Sequence, residues 1–198
     1  MTLSVLFANF VWAEDYSPAR SSNPKDVFWG DTHLHTRNSA DAYTYGNKNL
    51  SPDDAYRYAQ GKELVAHNGM KVRIKTPLDF LVVADHAEYL GGFYRYGKQD
   101  PRIKRTVIGR KWDQWTSAGE DDKIYPTFTA SQVDPVSYPP FPERLQKSIW
   151  KGVANSADTH NKPGTFTTFS GYEWTAMINR NNLHRVVIYK DSADKVAQ

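Results

Sequence analysis

A short, mostly apolar segment that is followed by an acidic residue and a histidine most constrains the fold of this chain. Residues 79–84 read Asp-Phe-Leu-Val-Val-Ala, follow Thr76-Pro77 and precede Asp85-His86. A continuous apolar run of this length, bounded by turn-forming residues, is typical of a strand that is buried on both faces. The segment therefore favours an α/β architecture over an exposed antiparallel sheet.

Further predicted strands and helices alternate along the chain. Residues 27–29 are β-prone, and residues 165–170 and 184–190 are rich in β-branched and aromatic residues, so each predicts a strand. Residues 51–61 open with Ser-Pro-Asp-Asp, as capped helices do, and residues 142–160 carry apolar residues at helical spacing. This alternation predicts an α/β layered or barrel fold.

Three regions differ in composition. Residues 1–25 combine an apolar run, similar in length to the core of an export signal, with a linker rich in Ser, Pro and Asn. We expect export to the periplasm or the exterior, or a cytoplasmic protein if this run is instead a buried first strand or helix. Residues 26–198 form the domain, in which residues 88–142 predict a long aromatic-rich insertion with short helices.

Composition and charge exclude several classes of protein. The 198 residues contain no cysteine, which removes disulfides, thiolate nucleophiles and cysteine-ligated zinc sites. A net charge of +3 on a chain of this size gives no electrostatic reason to expect a nucleic-acid partner. No segment reaches the roughly 18 apolar residues that a membrane span needs, so no span is expected.

Metal-ligating side chains fall at the ends of the predicted strands. They are His33 and His35 after the first strand, His86 after the apolar strand, Glu173 after residues 165–170, and His184 at the start of the last strand. Residues two apart in an extended segment point the same way, and strand ends of α/β folds converge at one rim. Imidazole and carboxylate are ligands for Zn, Mn or Fe, so this pattern predicts a clustered metal site.

Four segments carry a resemblance to a known superfamily. They are Phe-Trp-Gly-Asp-Thr-His-Leu-His-Thr at residues 28–36 with Ser39 and Asp41 after it, Ala-Asp-His at 84–86, Gly-Tyr-Glu-Trp at 171–174, and His-Arg-Val-Val-Ile at 184–188. In this order the chain resembles the PHP (polymerase and histidinol phosphatase) superfamily, and its DUF3604 branch in particular. The string H-x-H-T-x-x-S-x-D is the most specific part of the resemblance.

The resemblance implies a distorted (β/α)7 barrel that holds two or three divalent metal ions (Zn, Mn or Fe) at its strand ends. The implied ligands are His33, His35, Asp41, His86, Glu173 and His184. Glu173 is the expected bridging ligand and, with His86, a candidate catalytic residue. Asp85 is expected to orient a ligating imidazole, and Asp31 to bond to the backbone near the site.

The activity implied by the resemblance is metal-dependent hydrolysis. Members of the superfamily hydrolyse phosphoesters or serve as polymerase-associated domains, so we expect a small phosphorylated or ester substrate and attack by a metal-activated water. Arg37, Arg180 and Arg185 lie close to the implied ligands in sequence and are candidate contacts for a substrate anion. A solvated surface arginine would give the same sequence pattern.

One departure from the family pattern leaves an alternative open. The pattern continues with another His and an Asp-x-His pair, which are not found after His184, while His67 and His160 lie in other contexts and are expected at the surface. The chain therefore looks like the N-terminal portion of a longer member and a partial barrel. The alternative is a truncated or non-catalytic metal-binding module that needs missing ligands or a partner.

The aromatic residues of the predicted insertion allow two interpretations. They are Trp112, Trp115, Tyr125, Phe128 and Tyr138. They could line a substrate cleft, but packing against one another is the stronger expectation. A carbohydrate-binding module built on them would leave the histidine pattern unexplained.

Overall fold

The computed structural model describes residues 26–198, so the export signal predicted within residues 1–25 lies outside the described residues. The fold is mixed α/β, with a curled four-stranded half-barrel sheet in the order β1-β4-β5-β6 and a separate β2-β3 pair. The strands are β1 (Gly30–Leu34), β2 (Leu64–Val65), β3 (Lys71–Val72), β4 (Phe80–Val83), β5 (Thr167–Ile178) and β6 (Asn181–Tyr189). The α-helices are α1 (Ala40–Thr44), α2 (Pro52–Ala59), α3 (Gly92–Gly97), α4 (Pro101–Lys104), α5 (Val107–Ser117), α6 (Thr127–Val133), α7 (Glu143–His160) and α8 (Ala193–Val196). Within residues 26–198, no helix is long and apolar enough to cross a membrane.

The central strand is β4, which was predicted from its apolar run. It pairs in parallel with β1 on one side and with β5 on the other, and Leu81, Val82 and Val83 have no exposed surface. The fourth strand departs from a repeated βα pattern, because β6 runs antiparallel to β5. Only the two residues Asn179 and Arg180 connect these strands, and so short a connection returns the chain antiparallel.

Three predicted strand boundaries are wrong. Residues 27–29 are exposed and precede β1, which begins at Gly30. A Cβ added to Gly30 would clash with the carbonyl oxygen of Phe80, so the neighbouring strand packs closely there. β5 does not stop at Gly171. A Cβ there would lie 2.6 Å from Val82 Cγ1, so the glycine allows close packing of the sheet instead of ending the strand. β6 likewise begins at Asn181, three residues before the predicted start.

The two longer helices that flank the sheet form where they were predicted. Ser51 caps α2 in a reciprocal capping box with Asp54, and Pro52 occupies the first turn. α7 packs on β5 and α2. The apolar cluster between these helices and the sheet contains Tyr56, Ala59, Leu81, Val83, Ala157 and Phe166. His160, expected at the surface, instead stacks on Tyr56 and contacts Asp53 at 3.1 Å.

Residues 88–142 form the short helices α3 to α6, as the sequence indicated. Their aromatic residues pack together around Trp112, which is fully buried and donates from Nε1 to Thr127 Oγ1 at 3.3 Å. Phe128 is also buried in this cluster, and Trp115, Tyr125 and Tyr138 pack against its edge. The expectation that these aromatic residues pack against one another is confirmed.

Candidate metal centre

The segments that carry the predicted ligands meet where β1, β4, β5 and β6 lie side by side. His35 follows β1 and His86 follows β4, as predicted, and His86 makes a parallel bridge to Glu173. His33, Glu173 and His184 lie inside their strands and not at the ends, because β1, β5 and β6 have other boundaries than the sequence indicated. The register pairs His184 with Thr175, two residues beyond Glu173 on the same face of β5.

Glu173 lies at the centre of the cluster and is 3% exposed. Its Oε2 is 3.2 Å from His33 Nε2, 2.9 Å from His35 Nε2 and 3.3 Å from His86 Nδ1. Its Oε1 is 3.1 Å from His184 Nδ1. A single buried carboxylate is therefore surrounded by imidazoles from four separate positions.

Asp41 contacts the His35 ring on the side opposite Glu173. Its carboxylate oxygens lie 3.0 and 3.1 Å from His35 Nδ1, and Oδ2 is 3.7 Å from His86 Nε2. The buried Ser39 hydroxyl donates to Asp41 and so fixes the carboxylate at the start of α1. The Asp41 side chain is thereby oriented towards the two histidines.

The six predicted ligands form three overlapping groups that could hold metal ions. The groups are His33-His35-Glu173, His35-Asp41-His86 and His86-Glu173-His184, each with ligand atoms within 4.8 Å of one another. His35, His86 and Glu173 each belong to two groups. This sharing is the arrangement expected of ions that lie close together and are bridged by common ligands.

Two observations show that a metal ion suits these groups. His35 Nε2 is buried and makes no hydrogen bond, although Glu173 Oε2 is only 2.9 Å away. Two ligand atoms that approach each other without hydrogen-bond geometry can both face a common cation. In addition, no lysine or arginine of the described chain lies within 4.0 Å of the carboxylates of Asp41 or Glu173. The buried carboxylate of Glu173 needs a compensating cation, and a divalent ion supplies one.

The protonation states of His86 and Asp41 favour metal binding, whereas burial would lower the pKa of His35 but the hydrogen bond and the charge of Asp41 raise it. Burial lowers the pKa of His86 to about 4, although the charge of Glu173 opposes the shift, so the ring is neutral at neutral pH. Burial alone would raise the pKa of Asp41, but hydrogen bonds with His35 and Ser39 outweigh it and hold that pKa below its usual range. Neutral imidazole and ionised carboxylate are the forms that ligate metals.

Two aspartates support the ligand-bearing segments through hydrogen bonds. Asp31 accepts from the backbone N–H of His33 at 2.8 Å, as expected for a residue that fixes the backbone near the site. Asp85 is buried and accepts from both the backbone N–H and the hydroxyl of Thr36, the residue after His35. Asp85 therefore anchors the backbone, where an imidazole partner had been expected. Burial raises the pKa of Asp85 to about 6, while these bonds oppose the shift.

None of the three candidate arginines forms a salt bridge with Asp41 or Glu173. Arg37 donates to the carbonyl oxygen of Asn49 at 2.7 Å and lies 4.1 Å from the ring centre of Tyr94. Arg180 occupies the turn between β5 and β6. Arg185 pairs with Trp174 and so lies on the opposite face of the sheet from Glu173. These positions give no support for arginine contacts to a substrate at the metal groups.

Phe128 and a separate cavity define the surroundings of the cluster. The Phe128 ring lies 4.6 Å from that of His86 and forms an apolar wall behind it. A cavity of about 600 Å³, lined in part by Trp150, Tyr172 and Trp174, opens on the other face of β5. None of the six predicted ligands lines this cavity, so it is distinct from the candidate metal centre.

The sequence prediction missed two buried residues behind His86. They are Glu88, whose Oε1 accepts from the Thr175 backbone N–H at 3.1 Å, and Thr175, whose hydroxyl contacts His86 Nδ1 at 3.3 Å. Thr175 lies two residues beyond Glu173, so strand alternation would have placed it on the same face. The predicted end of β5 at Gly171 concealed this signal.

A comparison with protein families identifies the family of this chain. The family described as "Protein of unknown function (DUF3604)" matches residues 22–198. The chain belongs to the DUF3604 family. No curated protein and no solved structure matches it. The DUF3604 membership confirms that part of the predicted resemblance, and the candidate metal centre lies entirely within the matched residues.

Proposed function

We propose that this DUF3604 chain carries the metal centre of a hydrolase of the PHP type, which cleaves phosphoesters with a metal-activated water. The observation that carries the proposal is the position of Glu173, whose buried carboxylate lies within 3.3 Å of four histidine rings. Every salt-bridge partner of this carboxylate within the described residues is a histidine. A carboxylate with imidazoles on several sides can bridge metal ions that the imidazoles also bind.

The proposed centre holds two or three divalent ions, Zn, Mn or Fe, on the three overlapping groups. Glu173 links the group that contains His33 to the group that contains His184, and Asp41 serves the remaining one. The parallel β1, β4 and β5 support the finer proposal of a partial, distorted (β/α)7 barrel. The strands of a regular (β/α) barrel are all parallel, so the antiparallel β6 departs from that fold.

The residues of the site differ in exposure, and this difference suggests their roles. A divalent ion bound there lowers the pKa of a water molecule and polarises a phosphoryl oxygen. Glu173 and His86 are buried and hold the closed side of the site, while Phe128 excludes water behind them. The His33 side chain is 49% exposed and that of His184 is 35% exposed, so a small phosphorylated or ester substrate approaches from their side.

Hydrolysis of a panel of phosphomonoesters, phosphodiesters and carboxyl esters tests the proposal. The chain is loaded with Zn²⁺, Mn²⁺ or Fe²⁺ in turn. The Glu173→Gln variant removes the negative charge of the central carboxylate and keeps the shape of the side chain. Glu143→Gln, at an exposed position on α7, is the matched control and retains activity. We expect phosphoester turnover that falls at least 100-fold in Glu173→Gln. Turnover that persists in Glu173→Gln would overturn the proposal.

Ligand sharing favours one alternative, a non-catalytic metal-binding module. Six side chains supply three groups, so each ion has few ligands of its own within the described residues. A module of this kind takes further ligands from outside the chain or from a partner before it acts. The same panel distinguishes the two functions, because the module binds metal without hydrolysing any substrate.

The proposal includes a location, which rests on the sequence of residues 1–25. Their apolar run supports export to the periplasm or the exterior.

A further inference from the structure

Three of the six predicted ligands have side chains that reach the surface. Those of His33 and His184 are partly exposed, and that of Asp41 is 31% exposed. A phosphoryl group that reaches the metal groups between these side chains leaves the organic part of the substrate at their border. Two tyrosines, Tyr45 and Tyr125, lie at the border formed by Asp41.

Tyr45 lies one helical turn beyond Asp41. Its backbone N–H donates to the Asp41 carbonyl oxygen at 2.8 Å, so the two residues occupy the same side of α1 and its C-terminal end. Tyr45 is 77% exposed. Burial of a tyrosine ring is favourable, so a ring this exposed beside an exposed ligand is available to a bound molecule.

Tyr125 approaches the same border from the segment between α5 and α6. Its ring stacks on that of Phe128, with 6.1 Å between the ring centres, and Phe128 lies against His86. Burial raises the pKa of Tyr125 to about 12, and the Tyr45 hydroxyl and the charge of Asp41 add to this rise. The phenol is therefore uncharged at neutral pH and does not repel an anionic substrate.

The two tyrosine rings form a corner. Their centres lie 5.8 Å apart and their planes are inclined at 68°, so the edge of one ring meets the face of the other. A flat aromatic ring that enters this corner can stack on one tyrosine and meet the other edge-on. These are the two arrangements that aromatic pairs prefer, whereas an alkyl group gains only the burial of its surface.

We propose that Tyr45 and Tyr125 determine substrate specificity by binding an aromatic ring, so that the substrate is an aryl phosphoester. The inference rests on the proposed function and names the substrate class. The phosphoryl group of such a substrate lies at the metal groups, and the ring that carries its ester oxygen lies against the two tyrosines, beside Asp41.

Binding of phosphonates to the zinc-loaded chain tests the inference without turnover, because the carbon–phosphorus bond is not hydrolysed. Phenylphosphonate, cyclohexylphosphonate and methylphosphonate carry the same anionic group, but only the first has an aromatic ring. Isothermal titration calorimetry measures the dissociation constants. We expect phenylphosphonate to bind about 10-fold more tightly than methylphosphonate and about 3-fold more tightly than cyclohexylphosphonate. Equal affinity for phenylphosphonate and either of the other two overturns the inference.

Variants test whether the preference comes from the two tyrosines. Tyr45→Ala and Tyr125→Leu should each reduce the preference for phenylphosphonate over methylphosphonate by about 3- to 10-fold. Tyr45→Phe keeps the ring and should retain the preference. Trp174→Ala is the matched control, because this ring is also exposed but lies on the opposite face of β5 from Glu173. Zinc content is measured for every variant. An unchanged preference in both Tyr45→Ala and Tyr125→Leu overturns the roles of the tyrosines.

Failure of this inference and failure of the proposed function give different results. If the chain hydrolyses phosphoesters but shows no preference for the aromatic ring, the substrate class is wrong and the proposed function stands. If the two tyrosines confer the preference but no phosphoester is hydrolysed, the recognition is supported and the proposed hydrolysis is wrong. A zinc-loaded chain that binds none of the phosphonates overturns the inference, and the hydrolysis panel then decides the proposed function separately.

Discussion

Truncation of Asp85 tests how the segment after β1 is held. The carboxylate accepts from the backbone N–H and from the hydroxyl of Thr36, and both residues are 1% exposed. Asp85→Ala removes both acceptors and leaves two buried donors without partners. Asp85→Asn keeps one acceptor for the backbone N–H and requires only a rotation of the Thr36 hydroxyl. Thr36→Val removes the hydroxyl and retains the backbone bond.

The expected magnitudes follow from these bonds. A buried donor left without a partner costs about 1–3 kcal/mol, while removal of the carboxylate also relieves the cost of burying its charge. We therefore expect Asp85→Ala to lower the free energy of unfolding by about 3 kcal/mol. For Asp85→Asn we expect about 1 kcal/mol, the net value of one ordinary hydrogen bond.

Urea unfolding of the metal-free chain, followed by tryptophan fluorescence, measures these changes. Chelator is present throughout, so that a loss of bound metal does not contribute to the free energy. The double variant Asp85→Ala with Thr36→Val should show coupling, since the two side chains contact each other. A loss below about 1 kcal/mol in Asp85→Ala, or additive effects in the double variant, would refute the anchoring role.

Three further predictions concern stability and are also measured by urea unfolding. Gly171→Ala should destabilise the chain by about 1–3 kcal/mol, because its Cβ would lie 2.6 Å from Val82 Cγ1, whereas Gly152→Ala in α7 meets open space and should stabilise it by up to about 1 kcal/mol. Equal effects at the two glycines would contradict the packing argument. Trp112→Ala empties the centre of the aromatic cluster and should cost about 3–5 kcal/mol; a loss below about 1 kcal/mol would show that the cluster is not tightly packed. Ser51→Ala removes the cap of α2 and should cost about 1 kcal/mol, and no loss would mean that the capping box is not formed in solution.

Much of the fold could be predicted where local sequence and tertiary structure agree. The apolar run that becomes β4 and the Ser-Pro start of α2 are local signals, and both elements form as predicted. The H-x-H string identified the first ligand segment for the same reason. Its two rings lie 5.0 Å apart, because residues two apart in an extended chain share a face.

The errors arose where tertiary contacts override local signals. Gly171 predicted the end of a strand, but the tight packing of β5 against its neighbours uses that glycine inside the sheet. Placing Glu173 beyond the strand then concealed Thr175 on the same face. The contacts of Glu88 and Asp85 could not be predicted, because each depends on a partner about 50 to 90 residues away.

The metal content of the folded chain tests the central claim most directly. The chain is purified without a polyhistidine tag or chelators, dialysed against Zn²⁺, Mn²⁺ or Fe²⁺, and analysed by inductively coupled plasma mass spectrometry. Circular dichroism establishes that each sample is folded. The account predicts two or three bound ions per chain, retained in Glu143→Gln and reduced in number in Glu173→Gln, because Glu173 belongs to two of the three groups. A folded wild-type chain that binds no metal, or equal metal content in both variants, would contradict it.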